Sequence, residues 1–149
     1  MYLVRPARSS DREKLVEFNL AMALETEQIK LDRKTLSSGV DAVFLDSARG
    51  FYLVCEENDK VIGSLMITSE WSDWRNGDIW WIQSVYVEPE HRRKGVFRAL
   101  FMEITQRVLK EDSIAGVRLY VDEHNKNAIN TYLSLGMATS NYEMLEFMK

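Results

Sequence analysis

Residues 79–108 constrain the fold more than any other stretch. IWWIQSVYV is dense in β-branched and aromatic side chains and reads as a strand. It ends near Pro89. Beyond the loop EPEHRRKG, apolar side chains recur at 97, 100, 101, 104 and 108, the spacing of one buried helix face. A strand feeding a glycine-containing loop and then an amphipathic helix is a βα unit, so the domain must layer both element types.

The rest of the chain extends this pattern. YLVR reads as a short opening strand. Ser10 and Glu13 have capping-box spacing. The helix they start is expected to run to about Gln28, with Leu15, Phe18, Met22 and Ile29 on its inner face. A shorter helix is expected over residues 32–45. FYLVCEE, a turn at Asn58-Asp59, and KVIGSLMITSE read as a hairpin, and WSDWRNGD as a polar loop before IWWIQSVYV. Farther on, AGVRLYV reads as a strand and NKNAINTYLSLG as a helix that Gly136 is placed to end in left-handed conformation. MATSNYEMLEFMK reads as one or two final strands. The order β, helices, β-β-β, α, β, α, β predicts one mixed α/β domain over residues 1–149, its central, mostly antiparallel mixed sheet flanked by helices.

A chain of 149 residues suits one sizeable core. Apolar residues at 46% and charged residues at 28% fit a soluble globular protein. No apolar run approaches membrane-spanning length, and MYLVRPARSSDREK lacks a signal-peptide core. A cytoplasmic setting is expected by default. Cys55 is the only cysteine, which excludes an intrachain disulfide and a multi-cysteine metal site. Its place in FYLVCEE suits a small buried strand residue. His91 and His124 stand alone, without metal-ligand spacing, so no metal is expected.

The net charge of −4 argues against a general nucleic-acid binder. Its distribution is uneven. Residues 56–91 hold eight acidic side chains against two of Lys or Arg, whereas residues 92–98 hold four basic ones and no acid. Such a switch suits a ligand with one negative end; it also suits a solvated surface. The loop EPEHRRKG leads into a helix whose first amides lack partners within it and carry the positive end of its dipole. Amides so placed can cradle a pyrophosphate. Gly95 lets the backbone approach closely, and Arg92, Arg93, Lys94 and Arg98 add charge. A P-loop and a Rossmann fingerprint are both excluded, because Gly95 is the only glycine in the loop. A solvated basic turn with a helix cap remains the alternative on the loop alone.

VYVEPEHRRKGV resembles the central motif of the GNAT superfamily of N-acetyltransferases: a strand, then Q/R-x-x-G-x-G/A, then a helix. Here it reads Arg92-Arg93-Lys94-Gly95-Val96-Phe97. Phe97 replaces the last small residue: it either narrows the space near the phosphates or points into the core. The helical spacing favours the core, and a cradle made of backbone amides would then survive the change. The resemblance covers the element order of the whole chain, including Asn125, Ala128, Tyr132 and Gly136 in NKNAINTYLSLGM.

This resemblance implies acetyl-CoA as acetyl donor, direct transfer to a primary amine of a small molecule or peptide, and a cofactor site made of Val85, Tyr86, Val87, residues 92–98 and Asn125. It implies that amides of Val85–Val87, where the strand splays from its neighbour, hold the pantetheine arm and face the developing oxyanion. It implies that Tyr132 is the acid that protonates the leaving thiolate; outside the resemblance, Tyr132 is a packing residue beside Ala128 and Leu135. Asn125 either touches the cofactor or simply caps its helix.

The general base is not identified. Gln83 and Ser84, on the strand before the loop, are poor bases but are placed to meet an acceptor. Glu70, Asp73 and Asp78 could take a proton through water, or be solvated. Trp71 and Trp74 either wall a pocket, with Glu70 or Asp73 attracting a cationic amine, or form the rim of a homodimer contact. A GNAT-like regulatory module that binds acyl-CoA without catalysis is the competing function. Neither nucleic acid nor membrane is expected as a partner.

Overall fold

Five strands form one sheet in the order β1-β2-β3-β4-β5. β1 (Leu3–Pro6), β2 (Phe51–Glu57), β3 (Lys60–Ser72) and β4 (Gly77–Val87) pair antiparallel, and β5 (Ile114–Arg118) joins β4 in parallel. The helices are α1 (Arg12–Glu27), α2 (Arg33–Leu45), α3 (Val96–Lys110) and α4 (Lys126–Ser134). The parallel pair requires a crossover, and α3 supplies it. This is the mixed α/β architecture the sequence predicts. The structure, a computed structural model, describes residues 1–149 in two units, Met1–Leu119 and Tyr120–Lys149. No helix is long and apolar enough to cross a membrane.

In the first unit, alternation along β2 divides the core between two faces. Tyr52 and Val54 join Leu15 and Val16 of α1 and Val40 of α2 in one buried cluster. The neighbouring Leu53 and Cys55, also fully buried, point to the opposite face. α3 packs on β2, β3 and β5 with Val96, Leu100, Phe101 and Ile104 buried. Each such aliphatic side chain contributes about 1.5–3 kcal/mol of burial. Cys55 is buried, and burial with Glu57 and Glu56 nearby pushes its thiol up to about 11.

Several expectations shift. The Ser10–Glu13 box does not form. Asp11 makes the entry instead: its buried carboxylate accepts the Arg8 amide at 2.6 Å and the Arg5 guanidinium at 2.8 Å. Burial alone would raise the Asp11 carboxyl, but Arg5 and the Arg8 amide outweigh it and hold it below the usual range. Arg5 also pairs with Glu56, tying β1 and β2 to the start of α1. Gln28 ends α1 in left-handed conformation at φ 52, leaving Ile29 exposed. The polar loop shrinks to a tip at residues 73–76, because backbone pairing continues to Ser72–Gly77 without needing apolar side chains. On α3 the buried face starts at Val96; Phe97 is half-buried, 6.0 Å from the Phe101 ring.

The second unit holds α4. The Asn125 side chain caps it by accepting the Ala128 amide at 3.2 Å, and Gly136 lies just beyond it at φ 97. β5 stops at Arg118, short of the expected LYV, and residues 137–149 form no strand. Apolar and aromatic side chains recur there, but a strand exists only where a neighbour takes up its hydrogen bonds.

Candidate active site

The site grows from the point where β5 leaves β4. The two strands pair from Asp78 to Trp81, and from Ile82 to Val87 β4 keeps only β3 as a partner. Its register with β3 slips between Ser64 and Met66, and Ser84 sits opposite this bulge at φ 52. A bulge re-aims the residues that follow it, here Val85, Tyr86 and Val87 on the edge without a β5 partner.

The loop after β4 is pinned from several sides. The Glu88 amide donates to Ile62 O at 2.9 Å, and Lys14 of α1 meets the Glu88 carboxylate at 2.5 Å. His91, half-buried, lies 3.4 Å from Glu57 and 3.7 Å from the second Glu88 oxygen. The Tyr2 hydroxyl donates to Lys94 O at 3.0 Å. Glu88, Glu90 and His91 bring their ligand atoms within 4.8 Å of one another, but Lys14 already engages Glu88.

Arg93 adopts φ 58 and Gly95 φ 89, and Gly95 is the N-cap of α3. The first hydrogen bond of the helix runs from the Ala99 amide to Gly95 O at 3.0 Å, so the amides of the first turn find no acceptor within α3. A Cβ built on Gly95 meets no atom within 4 Å. The backbone at Gly95, where the helix begins, therefore borders free space, beside the exposed Arg93, Lys94 and Arg98. Arg92 is also exposed, but its side chain is engaged with Val87 O, Glu25 and the Tyr86 ring. Burial and the Glu25 carboxylate push the Tyr86 phenol up, against the effect of Arg92.

The acceptor candidates divide. Gln83 and Ser84 lie at the bulge, where Gln83 donates to Thr68 at 2.5 Å. Glu70, Trp71, Asp73, Trp74 and Asp78 lie at the hairpin end of β4, six residues or about 20 Å from Ser84 at the usual strand rise. Trp71 and Trp74 are 61% and 86% exposed, and Glu70 is paired with Arg118 at 3.4 Å. The structure does not bring these groups to the loop. Sequence reasoning missed Glu25, Tyr2, Lys14 and Glu57 around the loop; only tertiary contact marks them. In the second unit, Tyr132 lies in α4, half-buried, and burial pushes its phenol up.

The acetyltransferase (GNAT) family model matches residues 15–137, and the chain belongs to this family. A comparison with curated proteins finds no match. Among solved structures, a possible acetyltransferase from Clostridium difficile 630 shares 46% identity and a TM-score of 0.94, covering 100% of this chain and 98% of that one. Glucosamine-6-phosphate N-acetyltransferase from Arabidopsis thaliana matches at 17% identity and TM-score 0.75, over 100% and 99% of the two chains. Ribosomal-protein-alanine N-acetyltransferase from Brucella melitensis biovar Abortus 2308 matches at 12% identity and TM-score 0.81, over 100% and 99%. The last two share the fold. Membership of this family makes the chain an acetyltransferase.

Proposed function

We propose that the chain is one acetyl-CoA-dependent N-acetyltransferase domain that moves an acetyl group directly to a primary amine of a small molecule or peptide. The observation that carries this reading is the open N-terminus of α3 at Gly95, next to the half of β4 that has no β5 partner. GNAT enzymes generally use acetyl-CoA, and the residues present fit it. Amides of the first turn of α3 suit a pyrophosphate, as do the side chains of Arg93, Lys94 and Arg98. The edge of β4 at Val85–Val87 suits an extended amide-bearing arm. When bound, acetyl-CoA supplies an activated acyl carbon and a thiolate leaving group.

The chain's own groups then have three tasks. An amide of Val85–Val87 stabilises the negative charge developing on the acyl oxygen. As the amine nitrogen bonds to the acyl carbon and the carbon–sulfur bond breaks, the Tyr132 hydroxyl gives its proton to sulfur. A phenol, ordinarily titrating near about 10, carries its proton at neutral pH, and burial shifts Tyr132 further in that direction. The proton lost by the amine leaves through water, to Glu70, Asp73 or Asp78 or to solvent. Asn125 holds the start of α4. Gln83 and Ser84 face the acceptor, and Glu70, Asp73, Trp71 and Trp74 contact its far end only if it is long. We place the enzyme in the cytoplasm, with neither nucleic acid nor membrane as partner; a homodimer contact at Trp71 and Trp74 is the alternative to a pocket there.

The test is a screen of amines for acetyl-CoA-dependent release of free thiol, run beside thermal melts with acetyl-CoA. A ligand bound only by the folded state raises the melting temperature. Thiol release with one class of amine supports the enzyme. A melting shift without release from any amine supports an acyl-CoA-binding module, and no shift at millimolar acetyl-CoA overturns both.

A further inference from the structure

Arg92 shares its charge with Arg93 and Lys94 but not its surroundings. Its Nε donates to Val87 O at 2.9 Å and its Nη2 to Glu25 Oε2 at 2.7 Å, while the guanidinium lies 5.4 Å over the Tyr86 ring. The other Glu25 oxygen, Oε1, accepts the Tyr86 hydroxyl at 3.2 Å. The Tyr86 ring in turn packs 5.0 Å from Phe18 of α1. The last turn of α1, the end of β4 and the basic loop thus close a ring of contacts around one guanidinium. Residues 86 and 87 of β4 have a strand partner on the β3 side only. A strand end held on one edge is prone to local opening, and Arg92 adds a tether there.

We propose that Arg92 is a positioning residue, not a phosphate ligand: through Glu25 and the Val87 carbonyl it fixes the end of β4 and the start of the loop in the geometry that receives acetyl-CoA. This rests on the acetyl-CoA reading above. Two of the guanidinium's donors are directed to separate acceptors by its planar fork. A lysine keeps the charge but cannot reproduce both bonds. A phosphate contact would need mainly the charge, whereas a tether needs the fork and its carboxylate partner. The two roles therefore separate by experiment.

The experiment is calorimetric titration of acetyl-CoA at several NaCl concentrations into the parent, Arg92→Lys, Arg92→Met, Arg93→Met, Glu25→Gln and the Glu25→Gln/Arg92→Met double variant, with melting temperatures for each. Both Arg92 variants should weaken binding by roughly tenfold, the scale of one charge-assisted hydrogen bond, with the parent's salt dependence. Arg93→Met should flatten that dependence. Glu25→Gln should weaken binding in the same direction, and the double variant should be no weaker than Arg92→Met, because the pair acts as a unit. Parent-like binding by Arg92→Lys with a flattened salt dependence in Arg92→Met would make Arg92 a phosphate ligand and overturn the proposal. So would parent-like affinity in Glu25→Gln, or a lower melting temperature in the Arg92 variants without change in affinity. Failure of the parent itself to bind would overturn the acetyl-CoA reading and this inference with it, and is seen before any variant is compared.

Discussion

Gly63 lies on β3 opposite Val87, under the first turn of α3. A Cβ placed there meets Val96 Cγ1 at 2.9 Å, Tyr86 O at 3.1 Å and Val87 Cγ2 at 3.5 Å. Ordinary carbon–carbon contact is about 3.5–4.0 Å. Gly63→Ala therefore pushes Val96, 2% exposed, outward by several tenths of an ångström, and the helix N-terminus with it. Overpacking of this kind costs about 1–3 kcal/mol. In a chain of this length each kcal/mol lowers the melting temperature by about 2–4 °C, so the variant should melt roughly 2–12 °C below the parent. Val96→Ala alone should cost about 2 kcal/mol through lost burial and the cavity it leaves. It also removes the atom that clashes. The double variant should then be less destabilised than the sum of the two single ones, by about 1 kcal/mol. Thermal and urea melts of the four proteins measure this coupling. Destabilisations that add within about 0.5 kcal/mol would refute a seat for Val96 at Gly63. A parent-like Gly63→Ala would refute the close approach itself.

Gly95→Val adds a branched side chain at φ 89 and fills the space above the α3 amides. The strain should cost about 1–3 kcal/mol, while acetyl-CoA affinity, read by calorimetry, should fall far more than stability; a folded variant that binds like the parent would place the cradle elsewhere. Tyr132→Phe should lower kcat by roughly 10²-fold, the scale of a positioned acid, with little change in acetyl-CoA affinity; a rate within about twofold, with acetyl transfer rate-limiting, would remove the hydroxyl from the mechanism. Asp11 has a lowered folded pKa, so its stabilisation is complete above the unfolded value of about 3.9 and disappears as pH falls through the folded one. Melting temperatures measured from pH 7 to pH 3 should thus fall more steeply below about pH 4 in the parent than in Asp11→Asn, and equal slopes would discount the Arg5–Asp11 contact.

What was legible in the sequence is what repeats locally. The period of α3, the apolar runs of β2 and β3, and the Asn58-Asp59 turn, both residues at positive φ, depend on neighbours a few residues apart, and each forms where expected. The tail shows the limit of such signals: MATSNYEMLEFMK is rich in apolar and aromatic side chains, yet residues 137–149 have no ladder, because pairing is decided by a distant strand edge. The same limit runs through the site. The acid-to-base switch at residue 92 marks the loop, but charge alone cannot separate Arg92 from Arg93. Their division comes from the backbone, extended at Arg92 and left-handed at Arg93 with φ 58, and from Glu25, 67 residues away in sequence. On the helix pattern of α1, Glu25 is an ordinary solvated residue. Only when α1 lies across β4 does its carboxylate meet a tyrosine and an arginine, and the same packing gives one of four similar exposed cations fixed partners.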